Sequence, residues 1–320
     1  MIDLSLSDEL RQIADGAQNL LQEHAPLTRL RNGAADADLH TALAEWGWFG
    51  TGLEVADGGL GLGPAEDTLL YLTAGRFLLP PSVLATSLAA RLSFGERRAA
   101  LLGGNRKAAA AVRANGDAVF CLDRAGAADL VVFGSERIWL APADRFVGEP
   151  VAGFDETVVT ESGKLEPDAS WPHGPADHAL LLVAAMLSGI AAASSELAAE
   201  YAKHRQQFGQ PIGAFQAIKH LCAELAVRAY AAEAQVKLAA AYAADDPANA
   251  AFQIRAALVN ALAAARFNGA TAIQIHGGIG FTAECVVHHY VKRTHVLGAL
   301  VGGIGDQQAA LLALPSPVRP

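Results

Sequence analysis

The chain has 320 residues, 52% of them hydrophobic and only 18% charged, enough for about two or three compact units with ample core. Its formal net charge of −9 argues against a nucleic-acid footprint, although a local patch can still hold an anionic ligand. No apolar run reaches the ~18–20 residues of a membrane span without polar interruption, and the start MIDLSLSDELRQIADG lacks the basic and apolar regions of a secretory signal, so a soluble cytoplasmic protein is expected. Cys121, Cys222 and Cys285 are isolated in apolar surroundings and read as buried free thiols.

Residues 7–24 predict a helix with Leu10, Ile13, Ala17, Leu20 and Leu21 on one face, closed by Pro26. A second helix over 37–46 runs into EWGWFGTGLEVADGGLGLG. The glycines from Gly47 to Gly63 follow no clear strand and lack the lysine of a phosphate loop, so the stretch reads as a structural loop. Pro64 opens a third helix, with Glu66 and Asp67 in its favourable first turn, ending near Phe77. Two more helices are expected over 82–94 and 96–103.

From about residue 105 the texture changes. AAAAVRA, DAVFCLD, DLVVFG, ERIWLA and ETVVTES are short β-like runs, separated by turn residues at Asn115-Gly116, Gly126, Gly134-Ser135 and Gly153. They predict a small antiparallel β domain, closed by WPHGPADH at 171–178. Beyond Pro175 the chain reads as long alanine-rich helices over 176–207, 214–244, 248–275 and 282–300. Apolar residues on opposite faces of these helices demand several neighbours each, hence a four-helix bundle with an oligomer interface. The expected domains are 1–104 (helical), 105–174 (β) and 175–320 (helical bundle).

Two segments carry chemistry. YAKHRQQFGQPIGAFQAIKHLCAELA (201–226) breaks a helix for an arginine, a phenylalanine and several amides, more than a connection between helices needs. AIQIHGGIGFTAECVVHHYVKR (272–293) places a glutamine ahead of a glycine pair. Both closely resemble the acyl-CoA dehydrogenase family, and LAEWGWFGTGLEVADGGLGLG (43–63) resembles its early helix-and-loop pattern. The resemblance covers nearly the whole chain and is weakest in the β region.

It implies a mostly α fold with an N-terminal helical domain, a reduced antiparallel β middle domain and a C-terminal four-helix bundle. It also implies FAD-dependent introduction of an α,β-double bond into an acyl-CoA thioester, with an electron-transfer flavoprotein or similar acceptor. In this family one flavin is shared by two subunits. The neighbour's contribution falls here on Arg205, Phe208, Gln216, Gln274, Gly277 and Gly278. The chemistry of those residues suits the role. Arginine offers a planar fork for a pyrophosphate, Phe208 and Ile212 can lie against adenine, Gln216 and Gln274 supply amides, and paired glycines admit close backbone approach.

Two departures shape the expected function. The Thr-Glu-Pro and Gly-Ser-Asp segments that flank the family's flavin ring are absent from 107–130. The family's catalytic glutamate positions fall on Val301, before Gly302, and in a subgroup near Ala179. Asp177 lies two residues from the latter but is shorter, Asp306 lies beyond the former, and Glu284 matches a glutamate that is not the base. The half-site that reaches a neighbour's flavin is kept and the half-site that owns one is lost. The chain is therefore expected to complete the FAD site of a larger acyl-CoA dehydrogenase subunit in a two-plus-two heterotetramer, similar to those of actinobacterial steroid side-chain degradation, with no catalytic residue of its own. A self-sufficient homomer with a relocated base, with Asp177 as the candidate, and a non-enzymatic scaffold are the alternatives. His276, His288, His289 and His295 do not have the spacing of a metal site, so none is expected.

Overall fold

The computed structural model describes residues 7–32, 37–114 and 118–315. The expected Asn115-Gly116 turn lies outside them, as do the first six residues of the N-terminal stretch. The N-terminal helices are α1 (Asp8–His24), α2 (Arg29–Asn32), α3 (Ala37–Trp46), α4 (Pro64–Arg76), α5 (Pro81–Leu92) and α6 (Gly95–Leu102). Ser7 caps α1 by accepting from the Leu10 amide at 3.2 Å, with Asp8 and Glu9 in the first turn where the helix dipole favours them. The glycine-rich loop is structural: Trp48 and Phe49 are buried in it and Arg91 donates to the Gly52 carbonyl at 2.8 Å. The Glu66 carboxylate accepts from the Gly63 amide at 2.8 Å, which fixes the start of α4.

The middle of the chain forms one seven-stranded sheet of β1 (Ala108–Arg113), β2 (Val119–Leu122), β3 (Asp129–Phe133), β4 (Arg137–Pro142), β5 (Val147–Val151), β6 (Thr160–Lys164) and β7 (His173–Pro175), in the order β5-β6-β2-β1-β3-β4-β7. The expected antiparallel pairing holds at every junction but one. β2 returns beside β1, the chain then crosses to β1's other edge, and β3 therefore runs parallel to β1. Ala108 to Ala111 are all fully buried because the sheet is covered on both faces. Ala108 and Ala110 join the large helical core, whereas Ala109 and Ala111 face a second cluster with Cys121, Phe146, Leu165 and Trp171.

Burial pushes the Cys121 thiol up to about 12, so it is inert. Cys222 and Cys285 are free but only half-buried, less enclosed than their apolar neighbours suggested. ETVVTES enters the sheet only at Thr160, because Asp155 and Thr157 are tied to Arg293 of the bundle.

The bundle comprises α7 (Asp177–His204), α8 (Gln216–Asp245), α9 (Pro247–His276) and α10 (Val287–Leu300), followed by α11 (Gly303–Ala313). Contrary to the reading of the sequence, α7 is long and apolar enough to cross a membrane; 83% of its apolar window is buried inside the protein, which makes it the central core helix. Asn268 on α9 donates to the Ala191 and Leu225 carbonyls, both at 2.9 Å, and so ties α9 to α7 and α8.

The crossing of α4 and α7 depends on two glycines. A Cβ on Gly75 would stand 1.9 Å from the Met186 carbonyl oxygen, and one on Gly189 would stand 1.9 Å from that of Leu72. Both obstacles are backbone, so the helices themselves would have to part. Gly189→Ala is expected to destabilise the chain by about 1–3 kcal/mol, the usual cost of overpacking, measured as a lowered urea midpoint with unchanged slope. An unchanged midpoint would show that the crossing tolerates a methyl group.

Candidate functional site: an exposed turn and a cavity

At the end of α7 the Arg205 amide still donates to Tyr201 at 2.9 Å, and the Ile212 amide donates back to the Arg205 carbonyl at 2.8 Å. Between them β8 (Gln206–Gln207) and β9 (Gln210–Pro211) form a minimal hairpin around Phe208-Gly209. Both turn residues have positive φ, 51° at Phe208 and 76° at Gly209. A two-residue hairpin of this kind favours asparagine or aspartate at the first position, and a bulky side chain there is strained by about 1–2 kcal/mol. The strained phenylalanine is also 91% exposed, with one edge contact to the Phe215 ring at 6.1 Å between centroids, so the chain buries little of it in return. Arg205 and Gln216 are exposed as well, and Arg205 makes no ion pair among the described residues.

Gln274 stands exposed on the last turn of α9, followed by Gly277 at φ 63°. A Cβ on Gly278 would meet nothing within 4 Å and its φ is ordinary, so the chain's own packing does not require glycine there. The Tyr201 ring stacks on His276 with centroids 4.3 Å apart, joining the ends of α7 and α9. All six residues expected to touch a cofactor therefore lie on the surface at one end of the bundle. Phe281, 76% exposed, extends the apolar surface there.

A cavity of about 670 Å³ opens elsewhere, between the sheet and α9–α11. Trp139, Trp171 and Phe133 of the β region line it, as do Val301, Arg255 and Asp306. Gln307 accepts from Arg255 at 2.8 Å and donates to the Val301 carbonyl at 2.6 Å, fixing the α10–α11 turn. Val301 thus presents an apolar side chain to the cavity, at the position where the resemblance led a carboxylate to be sought. Asp177 and Ala179 do not line this cavity; Ala179 is buried in the core. Asp306 does, with its carboxylate against Gly302. The sequence reading set it aside because it lies beyond the position expected for the base. Gln274 lies 19 residues beyond Arg255 on α9, or about 28 Å along the helix axis, so turn and cavity are well separated.

A third cluster was invisible in the sequence. Ligand atoms of Glu156, His288 and His289 lie within 4.8 Å of one another. Lys292 already holds both Glu156 oxygens, at 2.5 and 2.6 Å, and burial, with the neighbouring His288, pushes His289 down to about 4, so a neutral imidazole stands beside an ion pair.

Comparison with known proteins agrees with this architecture. Residues 175–312 match the family model for the acyl-CoA dehydrogenase C-terminal domain. The chain is 39% identical over 250 residues to the acyl-CoA dehydrogenase IpdE2 of Mycobacterium tuberculosis, covering 74% of each. It is 33% identical over 308 residues to the acyl-CoA dehydrogenase FadE34 of the same organism, covering 88% of this chain but only 43% of that one. The chain belongs to the acyl-CoA dehydrogenase family. Among solved structures it superposes on a chain of the ChsE4-ChsE5 complex of M. tuberculosis with a TM-score of 0.82 at 18% identity, covering 98% and 100% of the two chains. It matches a chain of the Tcur3481-Tcur3483 steroid ACAD with a TM-score of 0.79 at 24% identity, covering 96% and 97%. These two likenesses establish the fold.

Proposed function

We propose that this chain completes the FAD site of a larger acyl-CoA dehydrogenase subunit and does not itself supply the catalytic base. The observation that carries the reading is the strained, exposed Arg205–Gln210 turn beside the open Gln274–Gly278 corner. These groups face outward, as they must to reach a cofactor held in another subunit. The residues fit an adenosine diphosphate end: a free guanidinium for phosphate, an exposed aromatic face for adenine, and amides beside glycine backbone that has no Cβ to block close approach.

Arg205, Phe208, Gln216, Gln274, Gly277 and Gly278 would hold the adenosine diphosphate end of FAD, which would supply hydride acceptance from the substrate's β-carbon, while the base for the α-proton would come from the larger subunit. Two-plus-two assembly in the cytoplasm and an electron-transfer flavoprotein as acceptor complete the proposal. Relatives among the solved structures are named as a two-protein complex and as a steroid ACAD, which supports a heteromeric enzyme acting on a bulky steroid-derived thioester.

The test is expression alone and together with a larger dehydrogenase subunit. The isolated chain should be colourless and inactive, and co-expression should give a stable yellow complex that oxidises acyl-CoA. One observation favours a second reading, a self-sufficient homomer: the Asp306 carboxylate on the cavity wall beside Gly302. Under the heteromeric proposal Asp306→Asn and Asp177→Asn leave turnover of the complex within about threefold, whereas loss of a general base costs about 10²–10⁴-fold. A loss of that size in either variant, with flavin still bound, establishes the homomeric reading in its place.

A further inference from the structure

The cavity holds a feature that flavin sharing does not use. Arg255 is 7% exposed and lines the cavity, and its guanidinium donates to the Gln307 side chain and, at 2.9 Å, to the Ser135 carbonyl. Both acceptors are neutral, and no carboxylate pairs with Arg255 among the described residues. A buried cation without a counter-ion is costly, and the usual remedy is a partner anion. The cavity's other charges do not provide one. Asp168 is committed to the amide and hydroxyl of Ser170 at 2.9 and 2.7 Å, Asp306 is exposed at the rim, and Arg113, a second cation, donates to the Leu165 carbonyl at 3.0 Å. The remaining walls are mostly apolar, with the aromatic rings of Trp139, Trp171 and Phe133 and the side chain of Val301 among them. A volume of about 670 Å³ falls within the range of small-molecule sites.

We infer that this cavity is a second ligand site, distinct from the shared flavin, and that it binds a rigid polycyclic carboxylate with the ring system between the tryptophans and the carboxylate on Arg255. The inference rests on the reading that this chain does not seat a flavin ring in its own cavity. The guanidinium offers paired donors to the carboxylate, and the aromatic walls remove the ring system from water. Binding here involves no chemical step; its consequence is occupancy of the space beside the α10–α11 turn by a molecule of the size and shape of a steroid acid.

The probe is cholate, compared with its neutral primary amide, titrated into the full chain or its complex while tryptophan fluorescence is followed. Trp139 and Trp171 are two of the chain's four tryptophans and both line the site. Saturable one-to-one binding is expected, with the acid bound about ten- to a hundred-fold more tightly than the amide. Arg255→Gln should erase the preference for the acid and Arg255→Lys should keep part of it. The acid–amide comparison in the unaltered protein stands even if the Arg255 variants fold poorly. Equal binding of acid and amide, or no saturable binding of either, overturns the inference. Retention of the preference in a folded Arg255→Gln protein does so too. A flavin count separates this from the functional proposal: two flavins per unlike pair would refute both, whereas one flavin with no cholate binding refutes the second site alone.

Discussion

Under the heteromeric proposal, which assigns the catalytic base to the other polypeptide, Arg205→Ala should nonetheless strip flavin from the assembled complex. The guanidinium is exposed in the isolated chain and has no ion pair among the described residues, so its hydrogen-bonding capacity is unspent until a phosphate arrives. Loss of a charge-assisted, two-pronged contact costs about 1.5–3 kcal/mol, or about ten- to a hundred-fold in affinity. Arg205→Lys keeps the charge but not the fork and should fall between the two. The measurement is flavin absorbance of the gel-filtered complex at several FAD concentrations. Full occupancy of the Arg205→Ala complex at wild-type affinity would remove the turn from the cofactor site.

The largest stability effect is expected at Arg293. It is 2% exposed and pairs with Asp155, itself 1% exposed, at 2.9 Å. It also donates to the Leu78 carbonyl at 2.7 Å, to the Leu79 carbonyl, and to the Thr157 hydroxyl at 2.9 Å. One side chain thereby joins α10 to the loop before β6 and to the corner between α4 and α5. Arg293→Met leaves Asp155 buried without its partner, a loss that costs about 3–5 kcal/mol. Adding Asp155→Asn to that variant should restore part of the loss, because the orphaned charge is then gone. Urea denaturation of both variants reads this directly, and a double variant no more stable than Arg293→Met would contradict the pairing.

The pH dependence has a definite sign. Burial alone would raise the Asp155 carboxyl, but the Arg293 charge and the Thr157 and Arg293 hydrogen bonds outweigh it and hold the group below its ordinary value. The stabilisation is therefore complete above the unfolded carboxylate range, near 4, and is lost as pH falls through the lower folded value.

The sequence was most legible where local periodicity and punctuation agree. Pro64 marked a helix start and α3 ran over the expected span, because proline geometry and helical periodicity act within a few residues. The helix break at Arg205 was visible because glutamine, phenylalanine and glycine interrupt an alanine-rich pattern.

Less was visible where tertiary contacts decide. β5 (VGEPV) carries a glutamate and a proline and resembles a loop, yet it pairs along the full length of β6. α11 was hidden because Gly302 and Gly303, both at positive φ, ended the readable pattern, and the helix resumes at once. Residues 282–286 were read into the last helix, whereas α10 begins only at Val287. The cavity could not be found from spacing, since Trp139, Arg255 and Asp306 come from β4, α9 and α11 and meet only after the sheet docks on the bundle. Glu156 reaches His288 and His289 by the same docking.

The central claim is a division of labour, and flavin stoichiometry tests it most directly. A complex purified from co-expression is denatured, its FAD counted against the two polypeptides, and the ratio compared with one. Under the proposal this chain contributes the outward-facing turn around Arg205 and Phe208 to a flavin owned by its partner, while its own cavity presents the apolar Val301. One FAD per unlike pair is the predicted result. Two FAD per pair, or one FAD per chain in a preparation of this chain alone, would contradict it.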